Sequence, residues 1–525
     1  MISSHRLPEG GFLAKHRQTL AAALLVVLTT LPVLFLHTPP FIDVLGHMGR
    51  YALQTDLPHE PYLQQFYRFD WHVIGNLGAD LLVQVMHPLL GVIGATRLVV
   101  VLVPLLASAG ILTLSQQVHG RITPFAVLAL TLVYALPFTW GFLNFSLSMA
   151  AALLAFALWL RMEHVGSRAQ VFMVVSLGIW LCHTFGWAFL GILCTADSLA
   201  SGWKARLALH RTLLATLRRG WPLLTPLAPM LLWRSTATGV GIAGWFDWHQ
   251  KFTWLISTQR LGWEWADIPC ATALLIAPAI SVFVRQMSDD RRLALAAGIS
   301  LAAFLLLPKQ IFGSVFADMR LAPYVIIMAL LALDDHRLHG RLRSTLMLLA
   351  MMFLVGRLAL TGFVYHRREQ ILDSHLVALS VIPEHARLAT LVEIPCQDEW
   401  ALPWFSHIGS TAIVQRQAFA NDQWANASMN PLQVHFPRAG GYATDDRQLF
   451  FPDRCGMSPR LAEALRAMPA HAFTHIWIVG VAPSTIPPRD GLALAWHSDD
   501  AAVFRVDHPI SLRSQRISKL SKLQP

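Results

Sequence analysis

Stretches with no charge at all constrain this chain more than any other feature. Residues 98–114 and 293–307 contain no Asp, Glu, Lys or Arg. Such runs suit a hydrocarbon slab about 30 Å thick, where backbone polar groups must be satisfied inside the segment. The rest of the 525-residue sequence keeps the same bias, with 54% hydrophobic and 14% charged residues and a mean hydropathy of +0.48. A soluble domain carries about 25% charged residues. The first apolar run, 19–36, follows Arg6, Lys15 and Arg17 but has no small-x-small cleavage signal, so it reads as a retained anchor.

Eleven apolar runs are candidate membrane crossings: 18–36, 95–115, 123–139, 145–161, 169–183, 185–200, 220–234, 268–286, 291–307, 320–334 and 342–362. The stretch 169–200 reads either as one tilted helix or as two that turn near His183. Basic clusters decide between them. Segments 161–168, 204–219, 285–292 and 336–343 hold the strongest concentrations of Lys, Arg and His, and such clusters stay in the cytoplasm. They share one side only if 169–200 crosses twice. The expectation is a polytopic α-helical protein of a bacterial inner (cytoplasmic) membrane, with about eleven transmembrane helices and a cytoplasmic N-terminus.

Residues 1–364 then form the membrane domain, with outer-face loops 37–94, 235–267 and 308–319. From about residue 365 the composition turns polar and proline-containing. Runs 387–394 and 474–481 have strand character, 459–468 reads as a helix, and 492–496 with 502–506 read as a closing hairpin. Residues 365–525 are therefore expected to form a small C-terminal α+β domain on the periplasmic side.

A net charge of +10 and a pI near 9.7 would point a soluble protein towards nucleic acid. Here the basic residues lie in short loops between apolar runs, so membrane topology accounts for them and nucleic acid is not an expected partner. Of the five cysteines, Cys182, Cys194 and Cys270 lie in apolar runs, and Cys396 and Cys455 lie in the tail. There is no Cys-x-x-Cys and no Cys/His metal spacing. In an oxidising compartment the two tail cysteines can pair.

The first outer loop holds the densest chemistry, in Pro39-Pro40-Phe41-Ile42-Asp43-Val44-Leu45-Gly46-His47-Met48-Gly49-Arg50. The double proline ends the membrane helix. A helix opening at Asp43 puts His47 at i+4 and Arg50 at i+7, so an acid, an imidazole and a guanidinium share one face. Together these groups can accept a proton and hold a phosphate. The plainer reading is that Asp43 caps the helix and Arg50 snorkels or pairs with it.

Further candidates lie elsewhere in the outer loops. Lys309 follows Pro308, and Asp318 and Arg320 stand in Phe316-Ala317-Asp318-Met319-Arg320 at the mouth of a span. They read either as interfacial anchors and a cap, or as cationic phosphate contacts oriented by the acid. Asp80 reads as a helix-surface carboxylate or as a partner of Asp43. The aromatic residues from Trp245 to Trp265 read first as a belt at the interface. His183 reads as a helix–helix hydrogen bond or turn, and Arg357 as an intramembrane cation that pairs with a buried acid or lines a site. No phosphate-binding loop, dinucleotide fingerprint or hydrolase elbow is present, which leaves an ATP-driven pump or a hydrolase unsupported.

The N-terminal span, the loop with Asp43, His47 and Arg50, about ten further spans, the Asp318–Arg320 element and a soluble C-terminal domain together resemble the GT-C superfamily of integral-membrane glycosyltransferases, including bacterial members with no assigned substrate. The resemblance covers nearly the whole chain and is mostly architectural. It implies an enzyme that moves a sugar from a polyprenyl-phosphate-linked donor to an envelope acceptor (glycan, lipid or protein) with inversion, Asp43 serving as the base. Arg320, Lys309 and Arg50 are the implied cations for the departing phosphate, and His47 a further donor to it. Asp43 is followed by Val44 rather than by a second acid, so the metal-binding pair of some family members is not evident; no required cofactor can be read, and a divalent metal is compatible with the resemblance but unsupported by these residues. Two other classes fit the layout: a transporter or flippase of a lipid-linked or small polar substrate, and a non-catalytic envelope-assembly protein. No inverted repeat supports the transporter.

Overall fold

The structure, a computed structural model, describes residues 9–163, 165–232, 241–281, 288–311, 314–425 and 430–507. Several sequence expectations fall partly outside these residues: Arg6, the ends of runs 220–234 and 268–286, the start of basic segment 285–292, and the residues 312–313 after Lys309. The chain divides into two bodies. One comprises Met1–Val44, Trp71–Glu369 and Asn426–Pro431, the other Leu45–Asp70, Gln370–Ala425 and Leu432–Pro525.

The first body is helical, and helical structure lies at each of the eleven apolar runs. Four helices among the described residues are long and apolar enough to cross a membrane: His16–Leu34, Gly78–His119, Leu143–Arg161 and Gly340–Val381. The shorter apolar helices Arg168–Cys182 and Ala322–Ala332 have 15 and 11 residues. At 1.5 Å per residue they reach roughly 22 and 16 Å, less than the hydrocarbon thickness. The long chain of apolar residues therefore does not translate run by run into full-length spans.

Local chemistry sets the helix boundaries. Helix Gly78–His119 is broken at Gly91, whose φ of +66° and ψ of 172° interrupt the helical ladder three residues after Pro88. Thr123 accepts from Ala126 N–H at 3.1 Å, and Pro124 follows at the first helical position. The stretch 169–200 forms two helices, Arg168–Cys182 and Thr184–Lys204. His183 separates them in an extended conformation and caps the second by accepting from Phe185 N–H at 3.1 Å. Its expected role as a turn former is thus realised as a helix cap.

Helix Leu143–Arg161 is the centre of this body. It packs against Gly78–His119 and Thr184–Lys204, and the latter packs in turn on Arg291–Leu306. At the periphery, Leu20, Leu24 and Val27 of the first helix are exposed, as a lipid-facing surface requires. Arg357, inside the last long helix, donates to Asp267 at 3.0 Å; it pairs with a buried acid.

The second body is built on a mixed sheet. Its strands in chain order are β1 (Tyr67–Phe69), β2 (Arg387–Glu393), β3 (Phe419–Ala420), β4 (Leu432–Val434), β5 (Leu449–Phe450), β6 (His475–Val479), β7 (Leu492–His497) and β8 (Ala501–Val506). The main sheet runs β7-β8-β6-β2-β3, with β5 also on β2. β2 pairs in parallel with β6, β3 and β5, while β8 is antiparallel to both β6 and β7. The buried run His-Ile-Trp-Ile-Val of β6 is continuous rather than alternating, as suits an interior strand held between β2 and β8. Strands β2, β6, β7 and β8 and the helix Leu461–Ala467 occur where the sequence patterns placed them.

Residues 45–70, expected to be an outer loop of the membrane domain, are part of this second body. β1 pairs antiparallel with β4, and Tyr67 Oη donates to Ala420 O at 2.8 Å. Phe66, Phe419 and Phe436 close the small core around them. Three residues are too few to show strand periodicity, and their partner lies hundreds of positions away. Cys396 and Cys455 form a disulfide with Cα atoms 5.4 Å apart.

Candidate active site

In the first body, the short connection Trp140–Asn144 gathers the expected site residues. Helix Glu9–Leu34 ends before the double proline, and the following loop is pinned by Glu369, whose Oε1 accepts His37 N–H at 2.5 Å and Thr38 N–H at 2.8 Å. Phe41 is buried between Phe138 and Tyr365, with ring centroids at 5.1 and 4.7 Å. Asp43 then donates its backbone N–H to Trp140 O at 2.8 Å. Gly141 has φ +99°, and a Cβ there would stand 3.0 Å from Asp43 N and 3.2 Å from Asp43 Cβ. Only glycine tolerates both the conformation and the approach.

Arg320 meets the same connection at Phe142. Its guanidinium sits 4.1 Å from the ring centroid of Phe142, with Phe145 and Phe185 each at 5.9 Å. The residue is 6% exposed, and its Nε has no hydrogen-bond partner among the described residues. Asp43 is the carboxylate whose charge acts on it. A half-buried acid and an aromatic-caged arginine therefore both contact one three-residue segment, Trp140–Phe142.

The other candidates of this body reach the same connection by different routes. Asp80 is fully buried and accepts from Asn144 Nδ2 at 3.0 Å, while Asn144 also donates to Asn76 O and accepts from Ala79 N–H. This network joins the start of helix Gly78–His119 to that of Leu143–Arg161, a structural task for the Asp80 carboxylate. Lys309 Nζ lies 6.0 Å from the centroid of Phe316, whose ring meets Trp140 at 5.0 Å. Asp318 turns elsewhere: it pairs with Lys251 at 3.2 Å, both side chains being 2% exposed. Lys251 Nζ also donates to Phe304 O and Leu307 O at 2.8 Å each, closing the C-terminus of helix Arg291–Leu306. Asp318 and Arg320 thus have separate partners.

His47 and Arg50 ride on helix Val44–Asp56 and belong to the second body. There Gly46 and Gly49 lie against a buried polar network. A Cβ on Gly46 would come within 2.6 Å of Trp424, and one on Gly49 within 2.8 Å of Ser410. Gln423 Nε2 donates to Gly46 O at 3.0 Å and to Ser410 Oγ at 2.6 Å, and Ser410 Oγ donates to Asp422 at 2.6 Å. Burial pushes the Asp422 carboxyl above its ordinary range, opposed by His407 and by the Ser410 hydrogen bonds. The His47 ring packs beside Trp424 at 5.0 Å, and Arg50 is buried over Tyr51 at 5.3 Å.

Sequence reasoning missed Trp140–Asn144 and Lys251. The first carried a signal, since a Gly and an Asn interrupt two otherwise apolar runs; Lys251 lay hidden among belt aromatics. Among the described residues, no group of three or more His, Cys, Asp or Glu side chains is placed to hold a metal ion.

No protein-family model and no curated protein sequence matches the chain. Two crystal structures of ArnT from Cupriavidus metallidurans align with it along nearly their whole length. The one bound to undecaprenyl phosphate has 12% identity and a TM-score of 0.40, covering 94% of this chain and 99% of that one. The apo structure has 11% identity and a TM-score of 0.43, covering 95% and 100%. Likeness at this level assigns neither substrate nor catalytic residues.

Proposed function

We propose that the protein is a membrane glycosyltransferase that transfers a sugar from a polyprenyl-phosphate-linked donor to a hydroxyl of an envelope acceptor on the outer face. The observation that supports this reading is that Asp43 and Arg320 meet the same connection, Asp43 at the Trp140 carbonyl and Arg320 at the Phe142 ring, close enough for the Asp43 charge to act on the guanidinium. Asp43 takes the proton of the acceptor hydroxyl as its oxygen attacks the anomeric carbon. The bond from that carbon to the donor phosphate breaks, the electron pair leaves with the phosphate, and the configuration inverts. Arg320, with an unused Nε–H, offsets the charge that develops on the leaving group, and Lys309 is a second cation for it. A lipid-linked donor also accounts for a catalytic body made of membrane helices, since an isoprenoid chain needs an apolar surface.

The test compares wild type with Asp43→Asn in native membranes, following loss of polyprenyl-phosphate-linked sugar and gain of glycosylated envelope material. The expected result is normal expression with transfer reduced by about 10²–10⁴-fold, the usual contribution of a general base. Equal transfer by both proteins would make Asp43 a helix cap and end this mechanism. Absence of transfer by wild type would favour transport or binding.

A further inference from the structure

A second polar cavity lies in the first body, among residues of the basic segments expected on the cytoplasmic face. A cleft of about 230 Å³ opens between the end of helix Leu143–Arg161, the start of helix Arg168–Cys182 and the end of helix Leu209–Gly220. Trp159, Glu163, Arg168, Arg218, Arg219 and Trp221 line it. Its charge is unbalanced, because three guanidiniums face one carboxylate and Glu163 is already engaged by Arg219 at 3.0 Å. Asp197, outside the lining, accepts from Trp159 Nε1 at 3.0 Å and also acts by charge on Arg168 and Arg219, so three guanidiniums still outnumber two carboxylates.

Arg168 is held in place without being satisfied. Its guanidinium lies 4.1 Å over the Trp159 ring, and the positive charge of Arg219 acts on it. Its Nη1 is buried and has no hydrogen-bond partner among the described residues. A buried donor left unmade costs about 1–3 kcal/mol, and Arg168 lines the cleft, so an acceptor bound there would offset that cost. Arginine forks suit phosphate oxygens in particular.

Helix Leu209–Gly220 indicates which phosphate. Thr212 is buried against the protein, where a Cβ on Gly202 would meet it at 2.4 Å. Leu209, Leu213, Leu214 and Leu217 form a second face that is 47–73% exposed, and Arg211 and Arg218 stand beyond it. Leucines so arranged suit acyl chains, and Arg218, which lines the cleft beside them, suits a headgroup, which is the pattern of a helix lying in a membrane interface. Trp221, 52% exposed, marks the same level at the mouth of the cleft.

We infer that this cleft binds the phosphate headgroup of an anionic membrane lipid of the inner leaflet, with the acyl chains lying along the leucine face of Leu209–Gly220. Basic pockets between membrane helices on the cytoplasmic side recognise such headgroups by charge and by hydrogen bonds together.

The experiment uses the full-length protein in phosphatidylcholine nanodiscs that carry a minor fraction of phosphatidylglycerol, with bound lipid read by native mass spectrometry. Arg168→Gln and Arg218→Gln are each expected to lower phosphatidylglycerol retention about fivefold, against no change for Arg211→Gln on the same helix outside the cleft. Arg218 is exposed, so that variant keeps the test valid if Arg168→Gln fails to fold. An equal loss in Arg211→Gln would reduce the effect to diffuse attraction, and unchanged retention in Arg218→Gln would remove the site. Complete displacement of the lipid by inorganic phosphate at equal concentration would assign the cleft to a soluble phosphate instead.

Discussion

Arg357 donates to Asp267 Oδ1 at 3.0 Å, with the two side chains 2% and 0% exposed. The second carboxylate oxygen of Asp267 accepts the backbone N–H groups of Leu261, Gly262 and Trp263 at 2.8–3.1 Å. Arg357 also donates to Gln259 O. A charged pair inside the helical body thereby fixes the loop that enters helix Glu264–Ser281.

The two partners are predicted to differ in importance. Asp267→Leu strands a buried guanidinium and three amides at once, so a loss of about 3–5 kcal/mol is expected. Arg357→Leu should cost less, because those amides continue to solvate the carboxylate. The measurement is the apparent unfolding transition of detergent-purified protein. Equal effects would mean that the amides contribute nothing.

Gly141→Ala is predicted to disable the proposed site while leaving the bundle assembled. The added Cβ meets Asp43 at 3.0–3.2 Å, and a non-glycine residue at φ +99° adds about 1–2 kcal/mol of backbone strain. Sugar transfer should fall at least tenfold, with kcat affected more than KM, since the change moves the base rather than a binding contact. Full activity in a well-expressed Gly141→Ala variant would show that the position of Asp43 is not critical.

The second body is predicted to lose stability in mild acid. His475 on β6 faces Arg505 on β8 across the antiparallel pair, and burial first, then the Arg505 charge, holds its pKa below the ordinary 6.5. The unfolded chain therefore binds the proton more readily than the folded one. Stability from this group is complete above about pH 6.5 and is lost as pH falls below it towards the depressed folded value. His475→Gln should flatten the unfolding profile below about pH 6.5. An unchanged profile would assign the acid sensitivity to other groups.

The helical runs were legible because hydrophobicity and its interruption are local properties. The closing hairpin could be read from a few neighbouring residues, the double crossing of 169–200 was decided by basic clusters along the chain, and of the two readings left open for Arg357 the structure shows the paired one. What escaped depends on distance along the chain. β1 is three residues long and its partner β4 begins at Leu432, so neither carries a periodic signal. Lys251 finds Asp318 only after two helices have packed, and its own surroundings in sequence are those of an interfacial belt. Asp43 was identified by its neighbours Pro39 and Pro40, whereas Trp140–Asn144, which holds it, looks from sequence like an ordinary interruption between spans.

The hydrogen bond from Tyr67 to Ala420 spans 353 positions. At a synthesis rate of about 5–20 residues per second, roughly 20–70 s separate the appearance of its two ends. During that interval β1 has no strand to pair with, and Phe66 has neither Phe419 nor Phe436 to cover it. The early segment thus waits uncovered, and the sheet-bearing body can close only after the last long apolar helix has emerged. Assembly order, more than sequence order, is what this discontinuous domain imposes on the cell.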